Sequence, residues 1–205
     1  ELPILPIRQT VLFPGMVIPV TVVRQKAIRL VKKIYRNSDF NQRILGAVCQ
    51  AKPLKEDPSP DDLYTVGTVA QILKMITLPD GNVTIIVQGR QRFKIEEIVQ
   101  EDPHITARVS VITDNFPNAN RKESKALLQS LRDSAHKIFK LNPEIPQEAR
   151  IALDNIESPV FLVHFLSSNL NVETAEKQRL LEETSSQKQA TALLQLLLRE
   201  VEMLE

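Results

Sequence analysis

A chain of 205 residues, 42% hydrophobic and 25% charged, can bury a core as one moderate domain or two small ones, which excludes a disordered chain. Lys and Arg number 26 against 25 Asp and Glu, and a net charge of +1 argues against binding duplex nucleic acid mainly through phosphates. No apolar run approaches the ~20 residues that span a bilayer, so no membrane partner is expected.

The chain opens with LPILPIRQTVLFPGMVIPV, residues Leu2 to Val20. Pro3, Pro6, Pro14 and Pro19 interrupt an apolar run, and proline lacks the amide that a central strand must donate. Either a core strand is bent around a corner, or an apolar loop is held out for a partner. The stretch divides into strands around Ile4 to Ile7 and Val17 to Val23, joined through a raised Phe13-Pro14-Gly15 turn. Glu1 is not preceded by a basic and apolar leader, so no signal peptide is expected, and the missing initiator Met suggests a piece of something longer.

Arg24 to Asn37 places Ala27, Ile28, Val31, Ile34 and Tyr35 at helical spacing. Cys49, the one cysteine, closes the strand-like run from Ile44 and reads as a small apolar residue, which fits either a reducing compartment or a thiol that happens to be buried. KPLKEDPSPDD then forms a charged, proline-rich surface loop. From Val66 the pattern is consecutive strands. Leu78-Pro79-Asp80-Gly81-Asn82 supplies a hairpin turn, with Pro79 in its first central position and Gly81 left-handed. Val83, Ile85 and Val87 give one apolar face; Phe93, Ile95 and Ile98 continue into the next strand, and Ile105, Ala107, Val109 and Val111 line one side of a further one. Short strands, one helix and close turns predict a small, partly closed β-barrel over residues 1–116.

The helical period takes over from Asn118, so residues 117–205 are expected to form an α-helical bundle. Leu127, Leu128, Leu131, Ala135 and Ile138 share a face, Pro143 and Pro146 break that helix, and Ala149, Leu153 and Ile156 start another. Ser158-Pro159 is a helix start, and the apolar helix that follows should sit at the bundle centre. Two more helices end the chain. In the last, Ala190, Leu194, Leu197, Val201 and Leu204 alternate steps of four and three, which suits a coiled coil and a bundle helix about equally.

Catalytic chemistry is not legible here. His104, His136 and His164 stand far apart without metal-ligand spacing, His164 reading as a satisfied core histidine and His136 as solvated. The five glycines form no phosphate-cradling motif, and no G-x-S-x-G occurs. Arg90, Arg92 and Lys94 alternate along a strand, as either an RNA-binding stripe or cations guarding an exposed edge.

With these residues in view, the opening resembles the signature L-P-x-L-P-[LI]-R-x-x-V-x-F-P-x-M-x-x-P of the amino-terminal region of the Lon family of ATP-dependent serine proteases. It is present as Leu2-Pro3-Ile4-Leu5-Pro6-Ile7-Arg8, Val11, Phe13-Pro14, Met16 and Pro19. DLYTVGTVAQI, LPDGNVTIIVQGRQRFKIEE and LNVETAEKQRLLE are similar to further family segments in the same order. Gly15 stands where a larger residue is usual, which predicts a looser loop. The resemblance implies an α+β chain, a PUA-like pseudo-barrel followed by a helical bundle leading into a long helix. It implies no catalytic, metal or cofactor residue in this chain; ATP and Mg would belong to AAA+ and Ser/Lys protease domains beyond it.

The function so implied is capture of unfolded or damaged proteins in the cytoplasm, with the mitochondrial matrix as the alternative, by a hexameric protease whose other subunits are partners. An RNA-binding PUA-type module and a stand-alone Lon-like interaction domain are the competing readings. Capture requires an exposed apolar patch. Phe13, Pro14 and Met16 on the opening turn are the first candidates, then Met75, Ile76 and Leu78 beside the hairpin; Met75 and Ile76 point to opposite faces, so one of them belongs to the core. Leu194, Leu197, Val201 and Leu204 are the candidates for assembly.

Overall fold

A computed structural model describes residues 1–116 and 119–205. It is α+β and divides into two compact units, Glu1–Thr113 and Asp114–Glu205. The expected division between 116 and 117 touches Pro117, which with Asn118, the expected onset of the helical period, lies outside the described residues.

The first unit is built from β1 (Leu2–Ile7), β2 (Val17–Val22), α1 (Gln25–Asn37), β3 (Ile44–Cys49), β4 (Val66–Thr77), β5 (Val83–Gln100) and β6 (Thr106–Ile112). The strand order is β2-β5-β4-β3-β1-β6, and β5 also pairs with β6. Five strands therefore close on themselves, while β2 remains an edge strand attached only to the first half of β5. The sequence divides the β5 region into two runs; the structure makes it one strand of 18 residues, long enough to carry β2 at one end and β6 at the other.

Two apolar cores result. Leu2, Ile4, Val48, Phe93 and Ala107 fill the closed barrel. Leu5, Ile7, Val22, Ile72 and Ile85 pack with Ala27, Ile28 and Val31 of α1, whose apolar stripe covers the other side of the sheet. β1 is thus buried on both faces, which explains its nearly unbroken apolar sequence. The hairpin turn forms as the sequence predicts: Gly81 sits at φ 89° and its N–H donates to the Leu78 carbonyl at 3.0 Å.

In the second unit α2 (Lys122–Leu141), α3 (Gln147–Asn155), α4 (Pro159–Asn169), α5 (Thr174–Glu182) and α6 (Ser186–Leu204) follow the predicted breaks. The Ser158 hydroxyl accepts the Phe161 N–H at 3.2 Å, with Pro159 filling the first turn where no donor is needed. Leu162, Val163 and Leu166 of α4 are buried, as its all-round apolar sequence requires.

Candidate functional site

The Phe13-Pro14-Gly15 turn is not raised. Phe13 is 0% exposed and Pro14 is buried. The Gly15 N–H donates to the Gly89 carbonyl at 2.9 Å, and the Gly89 N–H donates to the Met16 carbonyl at 2.8 Å. One residue earlier in the turn, the Thr68 hydroxyl donates to the Leu12 carbonyl at 2.6 Å. The turn is therefore clamped onto β5 at Gly89, where a Cβ would run into the Phe13 carbonyl oxygen. Gly15 adopts φ 82°, which glycine takes without strain, so it fits the tight turn instead of loosening the loop. Phe13 and Pro14 are corrected from surface candidates to core residues, because the prolines bend the chain inward around β5. Met16 is half-buried against the core that α1 covers.

Beside the hairpin, the expected division of Met75 and Ile76 is found: Met75 packs on that same core and Ile76 is 40% exposed. Leu78 is half-buried. Ile76 belongs to a larger outward face. Across the sheet Thr21 pairs with Thr84 and Thr84 with Ile76, while Pro19 pairs with Ile86 and Ile86 with Lys74. Val17, 51% exposed, lies diagonally from Ile86 on the edge strand. Val17, Pro19, Ile86 and Ile76 thus form an apolar patch on one sheet face, with Lys74, Thr21 and Thr84 between them. The Thr21 and Thr84 hydroxyls, 3.1 Å apart, tie β2 to β5. A chain searching for hydrophobic segments would meet this face and not the opening turn. Period-two alternation contained the signal: counting Val83, Ile85 and Val87 inward turns Ile86 outward, and the same parity in β2 exposes Val17 and Pro19.

The cationic stripe does not exist. Arg90 and Lys94 are exposed, but Arg92 is fully buried. Between the pairs Ala70/Gly89 and Thr68/Arg92, two residues of β5 face only Val69, and this irregularity breaks the alternation. The Arg90 guanidinium donates to the Gln71 side-chain oxygen.

The histidines stay apart. His164 is buried with its Nε2 3.0 Å from an Asp114 carboxylate oxygen, and half-exposed His136 lies 3.2 Å from Asp154. Burial lowers His104, with Lys33 adding to the effect, and burial pushes the Cys49 thiol up. Asp62 is held below the usual carboxylate range by the Ser59 N–H at 2.9 Å and by Lys52. Among the described residues no group of three or more His, Cys, Asp and Glu is placed to hold a metal ion.

On α6, Leu197 and Val201 are buried within their own unit along with Ala190 and Leu193. This corrects their assignment to assembly: Ala190, Leu193, Leu197 and Val201 advance by steps of three and four on one face, and that face packs into the bundle. Leu194 is half-buried, and Leu204 is exposed alongside Leu198 and Met203.

Comparison with known proteins gives a consistent picture. The family model of the ATP-dependent protease La (LON) substrate-binding domain matches residues 1–199. A Lon protease of Cytophaga hutchinsonii is 56% identical over 204 residues, covering 100% of this chain and 25% of that protein. A Lon protease of Flavobacterium johnsoniae is 44% identical over 205 residues, again 25% of its length. The chain therefore spans about a quarter of the curated relatives it matches. Two solved structures share the fold. The N-terminal domain of a Mycobacterium avium complex Lon protease has TM-score 0.75 at 18% identity, covering 96% of this chain and 97% of that one. A Lon N-terminal domain protein from Xanthomonas campestris has TM-score 0.66 at 19% identity, covering 95% and 96%.

Proposed function

The chain belongs to the LON substrate-binding domain family, and from that premise we propose that it captures unfolded or damaged polypeptides through the outer face of β2, β5 and β4. Capture delivers them to AAA+ and protease domains of a Lon-type enzyme, where ATP and Mg would act. The observation that carries this reading is the exposure of Val17, Pro19 and Ile76 around half-buried Ile86 on one sheet face. Misfolded chains differ from folded ones chiefly in displaying apolar segments, and a shallow β-branched surface accepts many of them without a shaped pocket. Each contact is weak. Copies of the face in an oligomer gain through multivalency, which suits a partner of variable sequence.

Exposed Leu198, Met203 and Leu204 on α6 suit contacts with other subunits of that oligomer. The test of capture is binding of a reduced and carboxymethylated, permanently unfolded protein to the chain and to its Val17→Ser/Ile76→Ser variant. Capture should fall about tenfold with the urea midpoint unchanged. Undiminished capture would overturn the reading.

A further inference from the structure

The prolines of the opening stretch have a positional logic. The Gly89 N–H reaches the Met16 carbonyl, so even-numbered residues of β2 turn their main-chain groups to β5. Odd-numbered Val17, Pro19 and Thr21 then turn theirs to the free edge. In β1 the Ile7 carbonyl accepts the Gln50 N–H of the β3 side, while the Ile4 N–H donates to the Ile105 carbonyl on the opposite side. By the same parity Pro6 faces away from β3, beyond the short β6 pairing at Leu2 and Pro3. Pro6 and Pro19 each occupy a place where the missing N–H would have pointed outward.

These two edges border one groove. A cavity of about 330 Å³ is lined by Leu5, Pro6 and Ile7 of β1 and by Pro19 to Val22 of β2, a volume within the range of about 300–1,000 Å³ typical of ligand clefts. Because Pro6 and Pro19 donate nothing, each edge lacks a donor where β1 and β2 face one another, which disfavours their pairing across the groove. Thr21 retains its amide on the edge, and Val23 follows it at the same parity. Arg24 on the lining lies 3.3 Å from Asp57, and the Arg8 guanidinium, also on the lining, donates to the Lys55 carbonyl. The groove thus offers main-chain pairing beside mixed polar and apolar walls. That complements an extended polypeptide, whose backbone presents donors and acceptors in turn. A second copy of the chain, pairing β2 against β2, would bring Pro19 edges together and lose donors on both sides.

We propose that the β1–β2 groove takes an extended stretch of polypeptide as an added strand on the Thr21 edge of β2. This rests on the reading that the chain captures unfolded polypeptide, and it adds the mode: the outer face supplies apolar contact, while the edge supplies sequence-independent main-chain hydrogen bonds. A binder of varied sequences gains from this, since every non-proline residue presents the same donor and acceptor.

The probe is a fluorescein-labelled octapeptide of alternating valine and threonine with a lysine at each end, beside a twin N-methylated at every valine and threonine. Fluorescence anisotropy with the 205-residue chain should show the twin binding at least tenfold more weakly, because its side chains remain but its donors are gone. Amide exchange at Thr21 should slow at least tenfold on binding of the unmodified peptide. Thr21→Pro should abolish the difference between the two peptides, while Thr21→Val, which keeps the amide, should preserve it. Equal binding of both peptides, or binding without slower exchange at Thr21, overturns the added-strand mode. If Val17→Ser/Ile76→Ser lowers capture of unfolded protein while both peptides bind alike, the capture reading stands and only the mode fails. Because exchange and the peptide pair are read on the unmodified chain, a Thr21→Pro variant that does not fold leaves the test intact.

Discussion

Val11 to Pro14 and Val17 to Val23 lie a few residues apart and are similarly apolar, yet the first is buried and the second turns half its side chains to solvent. The difference lies in the backbone. The first segment is clamped across β5 at Gly89 with Phe13 driven into the core, whereas the second is an edge strand with one face covered. Apolar composition alone therefore does not mark a binding surface; which face the strand parity turns outward does.

The comparison breaks most visibly at Phe13. Phe13→Ala should destabilise the chain by about 3–5 kcal/mol through lost burial and the cavity left behind, read as a fall in the urea midpoint, and any loss of capture should follow unfolding. Gly89→Ala should cost about 1–3 kcal/mol, because the new methyl meets the Phe13 carbonyl and the turn must shift. Val17→Ser and Ile76→Ser singly should each leave stability within about 0.5 kcal/mol while weakening capture several-fold in the unfolded-protein binding assay. Capture lost only in variants with lowered stability would merge the two regions into one structural role.

The smallest effect concerns acid. Asp62 is depressed below its unfolded value, near about 3.9, by the Ser59 N–H and Lys52. Its contribution is present above that value and is lost as pH falls through the folded one. The protection factor of the Ser59 amide, its exchange referred to the intrinsic rate at each pH, should fall below about pH 4, and Asp62→Asn should remove most of that step.

Much of the fold is legible in the sequence. The hairpin at Gly81, the helix start at Ser158-Pro159 and the breaks at Pro143 and Pro146 follow from local chemistry that tertiary packing did not override. The candidate site was less legible. Ile76 emerged because it alternates with Met75. Phe13 and Pro14 depart from expectation because a proline-broken apolar turn reads as exposed from its own residues, and only the passage of β5 at Gly89 buries it. Arg92 departs from its expected face for a related reason: strict alternation cannot anticipate the extra residue that β5 inserts opposite Val69. Leu197 and Val201 carried heptad spacing, but a buried bundle face and an assembly seam share that spacing, and only packing tells them apart.

The central claim, that the outer face of β2, β5 and β4 meets the unfolded chain, is tested most directly by site-specific photo-crosslinking. p-Benzoylphenylalanine replaces Ile76 in one variant and Leu54 in another. Leu54 is 92% exposed but stands alone on a charged loop. Under illumination with the carboxymethylated protein, the account predicts strong crosslinking from position 76 and little from position 54. Equal yields from both positions, or a higher yield from 54, would contradict it.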